Sequence, residues 1–331
     1  MSSSMPTTTL GSTGLVVSRI GLGLAALGRP AYIDLGREQD LGEDRSPQAL
    51  ESRCHEVLDT AFARGVRYVD AARSYGSAEA FLASWLTSRE ISTDAVTVGS
   101  KWGYTYVGDW RMVAEVHERK DHSVAAFRRQ LAETRALLGS WLDLYQIHSA
   151  TLETGVLEDR ELLAELIALT DEGVVVGLSV SGPGQADTIR RALEVEVDGV
   201  NPFHCVQATW NVYERAAEGA LEAAHADGWG VIVKEALANG RLTDRGDGPR
   251  LAILRRLAEE RGVGVDAVAL GVAISNPWVD VVLSGAATPA QLTSNIDALR
   301  VELSDEELAS LARLREPPER YWAERAELPW S

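Results

Sequence analysis

Val66-Arg-Tyr-Val-Asp70-Ala-Ala-Arg-Ser-Tyr75-Gly-Ser-Ala-Glu79 is the stretch on which the reading of the fold turns. Val66 to Asp70 reads as a short buried strand. A tight turn follows, and Gly76-Ser77 offers a turn residue and then a helix N-cap. Asp70 falls where the strand ends, and Tyr75 lies five residues on, in the loop. Strand, turn and helix in this order make one βα unit.

Working outward, the unit recurs. Upstream, Thr9 to Ser18 predicts a small hairpin, with glycine and serine at its turns. A Gly-rich strand follows at 17–24, and 28–46 reads as a loop. Leu50 to Arg64 places Val57, Leu58, Ala61 and Phe62 on one helical face and ends at Gly65. Downstream strands are predicted at 95–100, 143–148, 174–180, 203–208, 229–234 and 279–284. Helices are predicted at 77–87, 122–139, 158–172, 185–194, 214–227, 249–261, 265–275 and 289–299. β-Branched runs such as Val174-Val-Val suit parallel strands buried on both faces. Regular βα alternation leads to a doubly wound sheet or a closed barrel. Eight such units in 331 residues fit the barrel. The expected fold is α/β, a (β/α)8 TIM barrel with an N-terminal β-hairpin and long catalytic-face loops. No linker divides it, so one domain is expected over 1–331. Residues 102–121 read as an inserted loop and 315–331 as an aperiodic tail.

Composition narrows the function. The formal net charge is −17, from 32 basic and 49 acidic residues. No basic stripe is available to release counterions, which argues against nucleic acid as a partner. The same charge argues against anionic membrane surfaces, and no apolar run approaches the ~20 residues of a membrane helix. Cys54 and Cys205, the two cysteines, make neither a disulfide framework nor a metal cluster. They read as small buried hydrophobes in a reducing, cytoplasmic compartment. The start, Met1 to Thr9, lacks the pattern of a signal peptide.

In a parallel barrel, catalytic groups gather at the C-terminal edge of the strands. Asp70 ends the second strand, Lys101 the third and His148 the fourth, with Tyr75 in the loop after Asp70. A free tyrosine loses its proton near pH ~10. A lysine cation beside it favours the phenolate and lowers that value. Asp70 would hold the lysine by an ion pair, and His148 would orient a carbonyl oxygen. This is machinery for moving a proton to or from a carbonyl or alcohol oxygen, and it needs a separate hydride carrier.

These residues carry a resemblance. Leu10-Gly-Ser-Thr-Gly-Leu, Ile20-Gly-Leu-Gly, Asp70-Ala-Ala-Arg-Ser-Tyr-Gly-Ser-Ala-Glu, Ser100-Lys101, Asp143-Leu-Tyr-Gln-Ile-His, Gly177-Leu-Ser and Gly285-Ala-Ala-Thr-Pro-Ala-Gln-Leu with Asn295 together resemble the aldo-keto reductases, over about residues 9–300. The resemblance implies a (β/α)8 barrel and a tetrad of Asp70, Tyr75, Lys101 and His148, with Tyr75 as general acid. It implies a nicotinamide cofactor across the barrel mouth and no metal.

Cofactor positions carry over from the same resemblance. Gly23, Ser179 and Gln207 match residues at the nicotinamide end, although Val180 stands where the family has asparagine. Lys234 stands where the family has an aromatic residue that stacks on the ring. Leu237 and Arg241 belong to the loop after strand seven. Gly285, Ala286, Thr288, Gln291 and Asn295 belong to the phosphate and adenosine end, where a helix N-terminus suits a phosphate. Family habit favours NADP(H) over NAD(H), with Arg241 as a substitute grip on the 2′-phosphate. Trp102, Tyr104 and Trp210 are expected to line an apolar or sugar-stacking substrate pocket.

The resulting expectation is an NAD(P)-dependent oxidoreductase acting on an aldehyde, ketone or sugar and its alcohol. Two other readings stay open. One is a non-catalytic nicotinamide-binding regulatory subunit on the same barrel. The other is a lyase using Lys101 as a Schiff base.

Overall fold

Strand residues without polar alternation need cover on both faces, and the chain provides it. The computed structural model describes residues 5–330. Met1–Ser4 of the polar start and Ser331 of the tail lie outside the described residues. Eight parallel strands close into a barrel. In chain order they are Ile20–Gly23, Tyr68–Asp70, Thr97–Trp102, Leu142–Ala150, Val175–Val180, Cys205–Thr209, Gly230–Lys234 and Val281–Ser284. They are called strands one to eight below. Strand eight pairs back onto strand one, with Leu283 opposite Gly21. Helices between the strands form the outer ring.

Two hydrophobic clusters hold this together. The larger lies between strands and helices. The smaller fills the barrel's lower interior, where Tyr68, Leu144, Cys205, Ile232 and Val281 meet Leu10 and Val17. Those last two come from the N-terminal hairpin, Thr7–Thr9 with Val16–Ser18, which plugs the N-terminal end. At its turn Gly11 has φ +50, and a Cβ there would lie 2.3 Å from the Gly230 nitrogen. Only glycine permits so close an approach. Both cysteines are buried in packed surroundings, and burial pushes their thiols up, as expected of small core hydrophobes.

Three segments differ from expectation. Residues 102–121 hold a β-hairpin, Tyr104–Tyr106 paired with Glu118–Lys120. The strands are too short to show alternation in sequence. The expected loop 28–46 contains the short helix Arg37–Leu41. The tail contains a helix, Pro318–Ala326, with Pro318 in its first turn. Beyond it, Trp330 bridges back to Ile33.

Candidate active site

Three of the four expected catalytic residues are placed by barrel strands, and the fourth by the turn after strand two. Asp70 is the last residue of strand two, and Lys101 lies one residue before the end of strand three. His148 lies near the end of strand four, where the register slips between Ile147 and Ala150 and Ser149 takes φ +50. Such an irregularity re-aims side chains at a sheet edge. Tyr75 is set by its turn. The Ser77 amide donates to the Gly28 carbonyl at 2.7 Å, and a Cβ on Gly28 would lie 2.1 Å from the Tyr75 carbonyl oxygen.

The four converge. Lys101 Nζ donates to Asp70 Oδ1 and, at 3.0 Å, to the Ala71 carbonyl. Asp70 Oδ2 accepts from Gln207 Nε2 at 2.8 Å and from the Tyr68 hydroxyl at 3.1 Å. The ion pair is fully enclosed, so its charges are satisfied inside the protein. The Tyr75 ring stands edge-on to His148, centroids 5.4 Å apart. Lys101 Nζ lies 5.0 Å from the centre of the Tyr75 ring, and the Arg29 guanidinium lies 5.5 Å from it.

The electrostatics differ from the sequence expectation at one point. Lys101 is expected to draw the Tyr75 pKa down, yet burial and then the Asp70 carboxylate push it well up. Lys101 is already neutralised by Asp70, and the cation that opposes the rise is Arg29. Tyr75 is therefore held in its protonated, proton-donating form. Burial lowers the Lys101 pKa, and Asp70 counters it. Burial, followed by Lys101 and Lys234, pushes His148 well below its ordinary value, so its imidazole is neutral near pH 7. Its Nδ1 lies 3.3 Å from the Ser74 hydroxyl.

These groups open into a cleft of about 760 Å³ at the C-terminal face of the barrel. Asp70, Tyr75 and His148 line it. Of the expected cofactor residues, Gly23, Gln207, Lys234 and Leu237 line one part, and Gly285, Ala286, Gln291 and Asn295 another. Ser179 does not. It is buried, and its hydroxyl accepts from the Ser149 amide at 2.9 Å. Thr288 caps its helix, accepting from the Gln291 amide at 3.2 Å. Arg241 is turned away to Glu316 and Glu324, at 2.7 and 2.9 Å.

The expected aromatic pocket is only partly in place. Tyr104 lines the cleft. Trp102 is fully buried against Phe127 and His122, and Trp210 against Trp278. Both tryptophans pin loops to the barrel. The aromatic wall comes instead from Tyr32, Tyr104 and Trp330. Trp330 stacks on His117 at 4.1 Å, with the Arg29 guanidinium 5.0 Å from its ring. Sequence reading missed Arg29, Ser74, Glu235, Arg325 and Trp330. Ser74 sits within the decisive stretch and was findable there. The others reach the cleft from loops and the tail, with no periodic signal.

The cleft's polar groups fit a nicotinamide dinucleotide. Gln207 presents a carboxamide beside the tetrad, Asn239 has a buried side-chain oxygen without a partner, and Gly285 leaves open space where a Cβ would intrude. Two of the amides expected for a phosphate are already held by side chains. Ala286 N donates to Ser284 Oγ, and Ala287 N to Gln291 Oε1.

Comparison with known proteins agrees with this architecture. The Aldo/keto reductase family model matches residues 19–316. The NADH-specific methylglyoxal reductase of Escherichia coli (strain K12) is 25% identical, over 94% of this chain and 98% of that protein. The Glycine max protein named "Probable aldo-keto reductase 1" is 27% identical over 63% of this chain, and the match spans 52% of its own length. A holo-form aldo-keto reductase structure from Bacillus halodurans superposes with a TM-score of 0.68 at 23% identity, covering 95% of this chain and 97% of that one. The chain belongs to the aldo/keto reductase family, and is an oxidoreductase on a TIM barrel.

Proposed function

We propose that this protein interconverts the carbonyl of an aldehyde, ketone or sugar with its alcohol, using a bound nicotinamide cofactor, with Tyr75 as the proton donor. The observation that carries this is the convergence of Tyr75, Asp70 and His148 on the cleft, with Lys101 buried behind them and ion-paired to Asp70. The cofactor, when bound, supplies hydride. Tyr75 gives its proton to the substrate oxygen, and the phenolate formed is stabilised by Lys101 and Arg29, each within 5.5 Å of the ring. In this reading the Ser74 hydroxyl, 3.3 Å from His148 Nδ1, donates to it, so that Nε2–H is left to hold and orient the carbonyl oxygen. Tyr32, Tyr104 and Trp330 shield the reacting centre from water.

The expectation of NADP(H) gives way in this proposal to NAD(H). Three observations support the change. Arg241 is committed to Glu316 and Glu324. Arg245, on the cleft wall, is gripped by Asp40. The Asp266 carboxylate lines the adenosine end beside Ser294 and Asn295, at 3.0 and 2.6 Å. A 2′-phosphate brought against a carboxylate with no spare cation is repelled. The similar E. coli protein is named as NADH-specific.

The regulatory-subunit reading is not favoured, since the tetrad is complete and the named relatives are oxidoreductases. Schiff-base chemistry at Lys101 is disfavoured because the amine is buried and ion-paired to Asp70.

The test is a panel of aldehydes, ketones and sugars followed at the nicotinamide absorbance with NADH and NADPH in parallel. Cofactor oxidation should depend on the carbonyl, with kcat/KM for NADH at least about tenfold above that for NADPH. Asp266→Asn should narrow that ratio. A preference for NADPH would overturn the cofactor assignment, and no oxidation with any carbonyl would overturn the activity.

A further inference from the structure

Lys234 is the cleft residue that the tetrad does not use and the family pattern does not explain. It ends strand seven, opposite Thr209 of strand six. Its side chain is 15% exposed and lines the cleft. Nζ donates to two neutral hydroxyls, Ser181 Oγ at 3.0 Å and Thr209 Oγ1 at 2.9 Å. The nearest acid in sequence, Glu235, lies 4.0 Å away but is already taken. Arg325, from the C-terminal helix, grips both Glu235 oxygens.

The charge balance follows. Glu235 and Arg325 cancel, and so do Asp70 and Lys101. His148, which also feels Lys234, is neutral. The ammonium of Lys234 is left without a carboxylate of its own; Lys120, which also lines the cleft, donates to the Ser149 carbonyl at 2.8 Å. A nicotinamide ring carries one positive charge when oxidised and none when reduced. Where the ring is expected to stack on an aromatic residue, it would meet a cation.

We propose that the Lys234 ammonium disfavours the oxidised, cationic nicotinamide ring, so that the protein holds NADH more tightly than NAD+ and is poised for carbonyl reduction. This rests on the cofactor reading above. The repulsion is also switchable. Burial pushes the Lys234 pKa down to about 8, against the pull of Glu235, while Arg325 and Lys101 push the same way as burial and Asp70 opposes. Above that pH the lysine is neutral, and its bias against NAD+ is lost.

The experiment is fluorescence titration of the full chain with NAD+ and with NADH at pH 6.5 and 9.5, without substrate. Wild type should bind NADH about tenfold or more tighter than NAD+ at the lower pH, and the ratio should shrink at the higher. Lys234→Met keeps the length and apolar stem, so its ratio should be small and independent of pH. Lys234→Arg keeps the charge and should retain the bias at both pH values. If Lys234→Met changes both affinities equally, or leaves the ratio and its pH dependence as in wild type, the inference falls while the cofactor reading stands. If wild type binds neither form, the cofactor reading itself falls.

Discussion

At the scale of single residues, the site is a set of buried charges that exist because they are paired. Removing Lys101 leaves the Asp70 carboxylate enclosed without its cation, although Gln207 and Tyr68 still donate to it. Lys101→Met should cost about 3–5 kcal/mol in chemical denaturation, and pairing it with Asp70→Asn should recover part of that loss. A double variant no more stable than the single would show that the ion pair is not the cause. His148 gives a pH signature. Its folded pKa lies well below the unfolded value of about 6.5, so below that pH the unfolded chain binds the extra proton. Stability is therefore lost progressively as pH falls from about 6.5 toward the folded value. His148→Gln should lose less stability than wild type between pH 7.5 and 5.5, measured as denaturation midpoints. Equal losses would contradict the buried, neutral imidazole. The placing of Asp70, Lys101 and His148 near strand ends, with Tyr75 in the loop after Asp70, was legible because βα alternation can be counted, whereas the roles expected of them came from the family resemblance. The rise in the Tyr75 pKa was not legible, because it depends on which cation Asp70 takes for itself and on Arg29, brought in by an irregular loop.

At the scale of elements, strand ends fix the acid–base groups, and loops decide what reaches them. The barrel strands and most ring helices were readable, since burial on both faces leaves short, largely apolar runs without polar alternation. The hairpin 104–120 was not, because its two strands have three residues each. Nor was the C-terminal helix, whose Arg325 and Trp322 face the cleft and whose nine residues include four charged ones. Trp102 and Trp210 show the converse. Position near a strand end suggested a pocket, but tertiary packing buries both. The turn that holds Tyr75 depends on Gly28, whose missing side chain lets the two loops touch. Gly28→Ala should destabilise the protein by about 1–3 kcal/mol through overpacking and lower turnover by displacing the acid. Unchanged stability and turnover would mean the loop yields without moving Tyr75.

At the scale of the whole molecule, a charge of −17 surrounds a cleft that must admit an anionic dinucleotide. The long-range field repels that ligand and is screened within about 10 Å at 0.1 M salt. Raising ionic strength from about 0.01 to 0.15 M should therefore speed NADH association in stopped-flow fluorescence. A fall in rate would show that local cations, not the net charge, govern entry. No helix among the described residues is long and apolar enough to cross a membrane. All of these effects serve one claim, that Tyr75 is the proton donor of a hydride-transfer site. The direct measurement is single-turnover oxidation of bound NADH by a carbonyl substrate in Tyr75→Phe against wild type, with NADH affinity titrated in both. The account predicts affinity within about threefold and a chemical step slower by about two orders of magnitude or more. A Tyr75→Phe protein that reduces the carbonyl at the wild-type single-turnover rate would contradict it.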